Sequence, residues 1–486
     1  MFLAVVTAFS ALVLAEAWFS VNEGRFVSQA IRIGTAGEFD LQGFEWAAAG
    51  DKSVVEGEYY PAAPPGISVL ASPITSVVWP VDDIPDWIEP IFVHAGEIHW
   101  KGSDWDDAGI PREMVSNVMY QTYLINITLA LVMSVLLSWA LFEFLAEVFP
   151  RSTGRQRVVA VLIMLLATNF TFFLGKCFTH TLSCTLIAWS IIALSRGGKA
   201  CSDRGGRFYP YLAGLTAGLL PMLDYSLAPI SVTLGVAALI RLSRWQGWLM
   251  FGLGVLGPLA LFVAYHWTHF GGPLTLPHKF IDQGGGNASN HESGLYGIVI
   301  PSPKVAASIL ASPTYGLFSV AFILIPISIA ALAMGIKKAD RRFAMWMALV
   351  IAIVQFAVNA SYPVDPHGGA SWGPRYMFPA FLFLIIGAYC LLESRWRTPF
   401  LWVSGLAVVI QFSSQARGSK NGLLNHPLPW IDRLKMSFTE GFSTPLLSSA
   451  ERAGMIDVSS WQVQVPLLAV TAGICFGFYQ WWRRLG

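Results

Sequence analysis

The sequence predicts an all-α polytopic membrane protein with about 12 transmembrane helices and a large first extracytoplasmic loop. Three observations predict this class: hydrophobic residues make up 54% of the 486 positions, charged residues only 13%, and the mean hydropathy is +0.54. So few charges cannot cover a soluble surface, and apolar runs near the length of a membrane span recur along the whole chain. We therefore expect one membrane domain, residues 1–486, without an independent soluble domain.

Polar connections separate the apolar runs and delimit the expected spans. These spans lie near 2–19, 120–147, 157–174, 181–195, 209–223, 226–240, 247–267, 314–336, 343–360, 376–392, 399–413 and 464–482. The first run ends in Ala15-Glu16-Ala17, which mimics a signal-peptide cleavage site, but no basic segment precedes it. We expect this run to remain as a membrane anchor.

The connections alternate in charge, and this alternation predicts the topology. Short basic links hold 17 of the 31 Lys and Arg residues, and by the positive-inside rule they are cytoplasmic. These links lie at 151–157, 196–207, 241–244, 337–342, 395–397 and 483–484. The longer acidic or mixed connections then lie outside, at 20–119, 268–313, 361–375 and 414–463. Both termini are expected in the cytoplasm, which is typical of a bacterial inner-membrane protein with its active face outside.

Net charge and cysteine spacing identify no soluble partner. The net charge is +1, and we expect no nucleic-acid binding. The five cysteines lie in or beside apolar runs and form no CxxC or Cys/His metal spacing. We expect free thiols.

The first outer connection begins with an acid and a base directly after an apolar run. Glu23 and Arg25 are followed by Phe26, Ala30 and Ile33 at near-helical spacing, which predicts a helix along the membrane surface. Ionisable groups held at a membrane are costly and are therefore functional candidates. The same spacing also fits a Glu–Arg pair that only anchors the helix.

A second polar cluster follows in the same loop and ends in a rigid turn. It contains Asp51, Lys52, Tyr59 and Tyr60, and Pro64-Pro65-Gly66 then redirects the chain into an apolar run. A solvated loop is the alternative explanation for this cluster. Residues 76–118, rich in Trp, Asp and Pro, fit a packing flap better than a substrate site.

Shorter outer turns add polar residues near the ends of other spans. His180 follows the turn that begins at Gly175, and Asp224-Tyr225 form the whole connection between the fifth and sixth spans. His180 is also explained as an interfacial hydrogen-bonding group. Asp224 is equally explained as a helix cap.

The connection before residue 376 contains the most distinctive pattern. Glycines and prolines build a tight loop around His367 and Trp372 and deliver Arg375 and Tyr376 to the start of a span. A guanidinium at headgroup depth suits bidentate binding of a phosphate. A snorkelling anchor is the alternative role for Arg375.

Taken in order, these motifs resemble the GT-C class of integral-membrane glycosyltransferases, particularly relatives of protein O-mannosyltransferases and the lipid A aminoarabinose transferase. The matching elements are Asn22-Glu23, Arg25-Phe26, Gly50-Asp51-Lys52-Ser53, Gly57-Glu58-Tyr59-Tyr60, Pro65-Gly66, His180, Asp224-Tyr225, Ser312 to Phe318 and Gly368 to Tyr376. The resemblance covers most of the chain, and the first-loop set together with the Gly-Pro-Arg-Tyr element carries most of its specificity.

The resemblance implies a polyprenyl-phosphate-linked sugar as donor and a glycan, lipid or protein as acceptor. It also implies inversion at the anomeric carbon, with Glu23 as the first choice of base and Asp51 as the second. Arg25, Lys52 and Arg375 are the expected phosphate-binding cations. The expected substrate-lining residues are Tyr59, Tyr60, His180, Asp224, Tyr225, His367, Trp372 and Tyr376.

One departure from the family pattern concerns metal binding. Relatives often have an acid–Lys pair just before the Pro/Gly turn, and in the aminoarabinose enzyme that acid belongs to a metal site. This chain has Ala62-Ala63 there. We therefore assign no metal ligands and predict no cofactor.

Two other function classes use similar features. A transporter or flippase of lipid-linked sugars needs the same cations and apolar groove, but the chain shows no internal repeat and few charges within its spans. A structural subunit of an envelope assembly explains the loops but not the clustered ionisable groups.

Overall fold

A computed structural model of the protein is mostly helical. The residues that the structure describes are 1–15, 21–48, 50–78, 84, 86, 88–92, 110–199, 207–281, 297–338, 343–362, 373–418, 435, 444–457, 459–460, 462–466, 469, 473 and 480. His367, Trp372 and most of residues 79–109 lie outside this set, as does most of the last expected span.

The helices follow the apolar runs of the sequence. In chain order they are α1 Phe2–Leu14, α2 Val21–Ala36, α3 Gly66–Val78, α4 Arg112–Ile125, α5 Leu131–Val148, α6 Gly154–Leu166, α7 Thr171–Leu174, α8 Thr179–Lys199, α9 Phe208–Leu223, α10 Ala228–Arg241, α11 Trp245–Phe270, α12 Pro303–Ala311, α13 Leu317–Val320, α14 Leu324–Lys338, α15 Phe343–Ala360, α16 Phe381–Glu393, α17 Arg397–Gly418 and α18 Pro445–Arg452. Short 3₁₀ helices cover Glu45–Ala48, Tyr225–Leu227, Pro277–Phe280 and Arg375–Ala380. A π-helical turn, Asn126–Ala130, joins α4 to α5.

Within the described residues, four helical stretches are long and apolar enough to cross a membrane, with mean hydropathies of 1.8 to 2.2. They are Glu113–Val148, Trp245–Phe270, Phe343–Ala360 and Arg375–Glu393. The protein is therefore an integral membrane protein built mainly of helices. The topology of about 12 spans remains a prediction.

The prediction of an all-α chain is wrong at one place, the first loop. Strands β1 (Lys52–Val55) and β2 (Glu58–Pro61) form an antiparallel hairpin with Val55 opposite Glu58. The two turn residues, Glu56 and Gly57, have φ angles of 52° and 90°. Positive φ at both central positions matches the right-handed twist of a two-residue hairpin, and Val and Tyr on either side favour strands.

Residues from two of the predicted basic links, Gly198 and Arg241, meet at one end of the bundle, here called the basic end. Arg196, at the end of α8, donates to Glu143 of α5 at 2.8 Å, and Glu147 accepts from Ser195 at 2.5 Å. Arg241, at the end of α10, donates to the Ser195 carbonyl at 3.4 Å. Arg196 also forms an ion pair with Glu147 at 3.5 Å, so both acids near the end of α5 have a basic partner.

The other connections meet at the opposite end, here called the first-loop end. These connections are joined by five residue contacts: Gly66 with Met222, Gly175 with Leu14, Ser53 with Pro277, Val299 with Ser361, and Tyr362 with Tyr376. The structure therefore brings together segments from the first loop, the turns at 175 and 224, the 268–313 connection and the chain around residues 361–376. The candidate site lies at this end.

Candidate functional site

Helix α2 places Glu23 inside the first-loop end. Glu23 lies in the first turn of α2 and is only 1% exposed. The helix is held against α3, where Thr75 donates from its hydroxyl to the Ala30 carbonyl at 2.8 Å. A carboxylate in the first turn is favoured by the partial positive charge of the helix N-terminus.

Arg25 lies two positions after Glu23 on the same helix and pairs with Asp51. The guanidinium donates from Nη1 to Asp51 Oδ2, and both side chains are mostly buried, at 13% and 19% exposure. The Arg25 guanidinium also lies over the Phe26 ring, 4.9 Å from its centroid. The sequence assigns these two residues to phosphate binding and catalysis; the structure adds that they are partners.

The hairpin holds Lys52, Tyr59 and Tyr60 beside the C-terminal end of α11. Lys52 Nζ lies 3.4 Å from the Glu45 carbonyl oxygen and 4.9 Å from the centroid of the Tyr59 ring. The Tyr60 hydroxyl donates to Glu58 at 2.6 Å, and its ring lies 5.2 Å from that of His269 on α11. Burial, and then the bond to Glu58, raise the pKa of Tyr60, so this hydroxyl remains protonated.

The turn before α8 brings His180 and Cys177 to the same end. The Cys177 backbone N–H donates to Asn126 Oδ1 at 2.8 Å, which ties this turn to the π-helical turn. Burial raises the pKa of the Cys177 thiol, and the negative charge of Glu23 raises it further. This effect requires Glu23 to lie near the turn. The His180 ring packs at 5.5 Å against the Phe378 ring.

Arg375 and Tyr376 begin the 3₁₀ helix that leads into α16. Arg375 is 7% exposed, and its Nη2 donates to the hydroxyl of Tyr376 at 3.2 Å. The ring of Tyr376 lies 6.1 Å from that of His180 and 6.3 Å from that of Tyr362. His180 is also close enough to Arg375 for the guanidinium charge to act on its ring.

Asp224 and Tyr225 form the turn between α9 and α10. Asp224 Oδ1 accepts from the Ser226 N–H at 2.9 Å and caps the 3₁₀ helix Tyr225–Leu227, so its capping role is observed. Tyr225 shares a hydrogen bond of 3.0 Å with His266 Nε2. His266 Nδ1 lies 2.8 Å from the Phe262 carbonyl and donates to it, which leaves Nε2 to accept from the tyrosine.

Electrostatic contacts join these groups into one region. Burial raises the pKa of Tyr362, and the nearby Tyr376 and Asp224 raise it further. The charge of Arg25 acts on the hydroxyl of Tyr225. The region thus combines carboxylates, guanidinium groups and aromatic hydroxyls from distant segments. The hairpin residues Lys52, Tyr59 and Tyr60 lie on the part of this region that is next to α11.

Three residues of this region were missed by the sequence reasoning. Lys176 is 1% exposed, and its Nζ lies 3.8 Å from the centroid of the Phe172 ring. Its signal was a base in a turn predicted to lie outside, whereas most Lys and Arg residues lie in the links predicted to lie inside. Tyr362 and His266 had a weaker signal, because polar aromatic residues are common near the ends of spans.

The described residues contain no group of three or more His, Cys, Asp and Glu side chains arranged to hold a metal ion. Ala62 and Ala63 are 3% and 4% exposed, and their side chains offer no metal ligand.

No protein-family model matches the chain, and neither does any curated protein. Among solved structures, the chain is similar to ArnT from Cupriavidus metallidurans bound to undecaprenyl phosphate, with a TM-score of 0.49, 12% identity, and coverage of 94% of this chain and 74% of that one. It is also similar to the archaeal oligosaccharyltransferase AglB from Archaeoglobus fulgidus in complex with an inhibitory peptide and a dolichol-phosphate, with a TM-score of 0.44, 11% identity, and coverage of 94% and 59%.

Both of these proteins are GT-C glycosyltransferases, the class that the sequence motifs resemble. The TM-scores lie below 0.5, so assignments of substrate and residue roles depend on this chain's own residues.

Proposed function

We propose that the protein is an inverting glycosyltransferase that moves a sugar from a polyprenyl-phosphate donor to an acceptor at the extracytoplasmic membrane face. One observation carries the proposal: a buried carboxylate, Glu23, lies at the same end of the bundle as the buried guanidinium of Arg375. The segments that meet there are the ones that the distribution of positive charge assigns to the outside.

A lipid-phosphate donor needs cations at headgroup depth and an apolar surface for its tail. Arg375 is the principal phosphate ligand in this proposal, because its two-pronged guanidinium matches two phosphate oxygens. Arg25 and Lys176 add positive charge from α2 and from the turn before α8, and Lys52 adds it from the hairpin. Donors placed where charge develops on the leaving phosphate lower the barrier, typically by a few kcal/mol each.

Glu23 is the proposed general base. Its carboxylate removes the proton from the acceptor hydroxyl as that oxygen attacks the anomeric carbon. The bond between the anomeric carbon and the phosphate oxygen breaks, and the polyprenyl phosphate leaves with the bonding electrons. Attack opposite the leaving group inverts the anomeric configuration.

Asp51 is less suited to this role because it is paired with Arg25. In the proposed mechanism this ion pair orients the guanidinium and fixes the hairpin to α2. Tyr376, Tyr362 and Tyr225 provide hydroxyls and ring faces for the sugar and the acceptor. The acceptor is a glycan, a lipid or a protein.

The test is incubation of the purified protein with a labelled polyprenyl-phosphate sugar, followed by detection of free polyprenyl phosphate. Release that depends on an added envelope acceptor and is lost in Glu23→Gln supports the proposal. Movement of intact donor across a vesicle membrane without release supports the flippase alternative. Wild-type release that persists in Glu23→Gln contradicts the role of the base.

A further inference from the structure

Helix α15 carries two buried amides on one face. Ala344, Ala348 and Ile351 recur at helical spacing along this face and are apolar members of the main core. Gln355 and Asn359 continue the same face toward the first-loop end, and they are 0% and 1% exposed. An amide at a core position is unusual in a helix that is otherwise almost wholly apolar.

Neither amide has a hydrogen-bond partner in the part of the chain that the structure describes. Both side-chain atoms of Gln355, Nε2 and Oε1, are unpaired, and so are Nδ2 and Oδ1 of Asn359. Buried polar groups are nearly always bonded, since desolvation without a partner is costly. Two neighbouring amides without protein partners can therefore bind a ligand or water.

The position of the pair links it to the proposed donor site. The N–H of Tyr362 donates to the Asn359 carbonyl at 3.2 Å, and the Tyr362 ring stacks on Tyr376. Tyr376 in turn accepts from Arg375. Helix α15 also packs against α8, α10 and the 3₁₀ helix that begins at Arg375. The end of α15 that carries the amides is thus connected to Arg375 through Tyr362 and Tyr376.

Another buried amide, Gln411, does have a protein partner and therefore serves as a comparison. Gln411 of α17 is 2% exposed, and its Nε2 donates to the Val320 carbonyl at 2.9 Å. This bond joins α17 to the end of α13. Gln355 and Asn359 have the same chemistry and the same burial but make no such bond.

We infer that Gln355 and Asn359 bind hydroxyl groups of the sugar carried by the lipid donor. An amide both donates and accepts, as a hydroxyl does, and it brings no charge that would compete for the phosphate. The two residues are separated by about 6 Å along the helix, which is close to the width of one sugar ring. This inference rests on the proposed function, because it assumes a sugar-bearing lipid phosphate held at Arg375.

The experiment compares two lipids and three variants. The two lipids are a polyprenyl-phosphate sugar and bare polyprenyl phosphate. Their binding is measured for the wild type, for the double variant Gln355→Leu/Asn359→Leu on α15, and for the control Gln411→Leu. We expect the α15 double variant to lose at least about 10-fold in affinity for the sugar-bearing lipid, as expected for lost hydrogen bonds to a ligand. Its affinity for bare lipid phosphate and its Tm are expected to be unchanged or higher. The control is expected to lower Tm and to keep the preference for the sugar.

Other outcomes overturn the inference. Equal loss of both affinities, or a lower Tm with the sugar preference retained, assigns the two amides to structure. If the wild-type protein releases polyprenyl phosphate but binds both lipids equally well, the inference is wrong and the proposed function stands. A wild type that binds neither lipid removes both. Sugar preference that is lost in the double variant, without any transfer in wild type, sustains the inference and contradicts only the transfer step.

Discussion

Arg25 donates from Nη1 to Asp51 Oδ2, although the two residues are 26 positions apart and belong to different elements of the first loop. The pair connects helix α2 to the start of the hairpin. Both side chains are mostly buried, so the ion pair is shielded from water and salt. It therefore fixes the loop in place, and it leaves Glu23 as the carboxylate better suited to accept a proton.

Asp51→Asn is expected to lower the free energy of unfolding by about 1–3 kcal/mol, because it leaves the mostly buried guanidinium of Arg25 without its charge partner. Thermal unfolding in detergent measures this change. Arg25→Gln and the Arg25→Gln, Asp51→Asn double variant complete a double-mutant cycle. If the two residues stabilise each other, the double variant loses less unfolding free energy than the two single variants do in sum. Strict additivity contradicts the structural role of the pair.

Glu23→Gln is expected to reduce sugar transfer by about 10²–10⁴-fold, the usual contribution of a general base. Donor binding and Tm are expected to stay close to wild type, since glutamine keeps the size and polarity of the side chain. Glu56→Gln is the matched control, because Glu56 is an exposed carboxylate at the tip of the same loop. Equal losses in both variants would speak against a specific role for Glu23.

Apolar runs and charge asymmetry predicted the helices well. The run at 343–360 coincides with α15, and residues from two of the basic links, Gly198 and Arg241, meet at the basic end. These features depend on local hydrophobicity and on the distribution of Lys and Arg, and both are visible in a single sequence.

Features that depend on pairing between distant residues were not predictable in the same way. The sequence placed Arg25 and Asp51 in one loop but carried no sign of their contact. The hairpin did have a local signal, since Glu56-Gly57 lies between Val-Val and Tyr-Tyr pairs, but the surrounding helical pattern obscured it. Gln355 and Asn359 become notable only when burial and missing partners are known.

Arg375→Ala is expected to weaken binding of polyprenyl phosphate by about 10- to 100-fold, the loss expected for a hydrogen-bonded charge. Arg375→Lys keeps the charge but loses the two-pronged geometry, so an intermediate loss is expected. Arg395→Ala is the control, because Arg395 lies just beyond the opposite end of α16. Lipid affinity that is unchanged in Arg375→Ala assigns this residue to anchoring.

The first loop is expected to lose stability in acid because of Asp40. Burial alone acts to raise the pKa of Asp40, but hydrogen bonds from Arg32 and from the Gln42 N–H outweigh it and hold the pKa below its ordinary value of 3.8. A carboxyl group whose pKa is lower in the folded than in the unfolded protein stabilises the fold fully at pH values above its unfolded-state pKa. This stabilisation is lost as the pH falls through its folded-state pKa. Tm measured between pH 7 and pH 3 should therefore fall below about pH 4. Asp40→Asn should have a lower Tm at pH 7 and a smaller fall in acid; an identical fall in both proteins contradicts the assignment.

Gly66 lies in close contact with the end of α9, just before the turn at Asp224. A Cβ at this position would lie 2.4 Å from the Met222 carbonyl oxygen, so Gly66→Ala must move α3 away from the end of α9. We expect a loss of about 1–3 kcal/mol in unfolding free energy, as for other overpacked contacts. We also expect slower transfer at temperatures well below Tm, because the displaced loop carries the carboxylate at Glu23. Gly235→Ala is the control, since open space surrounds that glycine in α10 and alanine favours the helix. If Gly66→Ala lowers Tm but transfers sugar at the wild-type rate, the contact between α3 and α9 stabilises the fold without positioning the site.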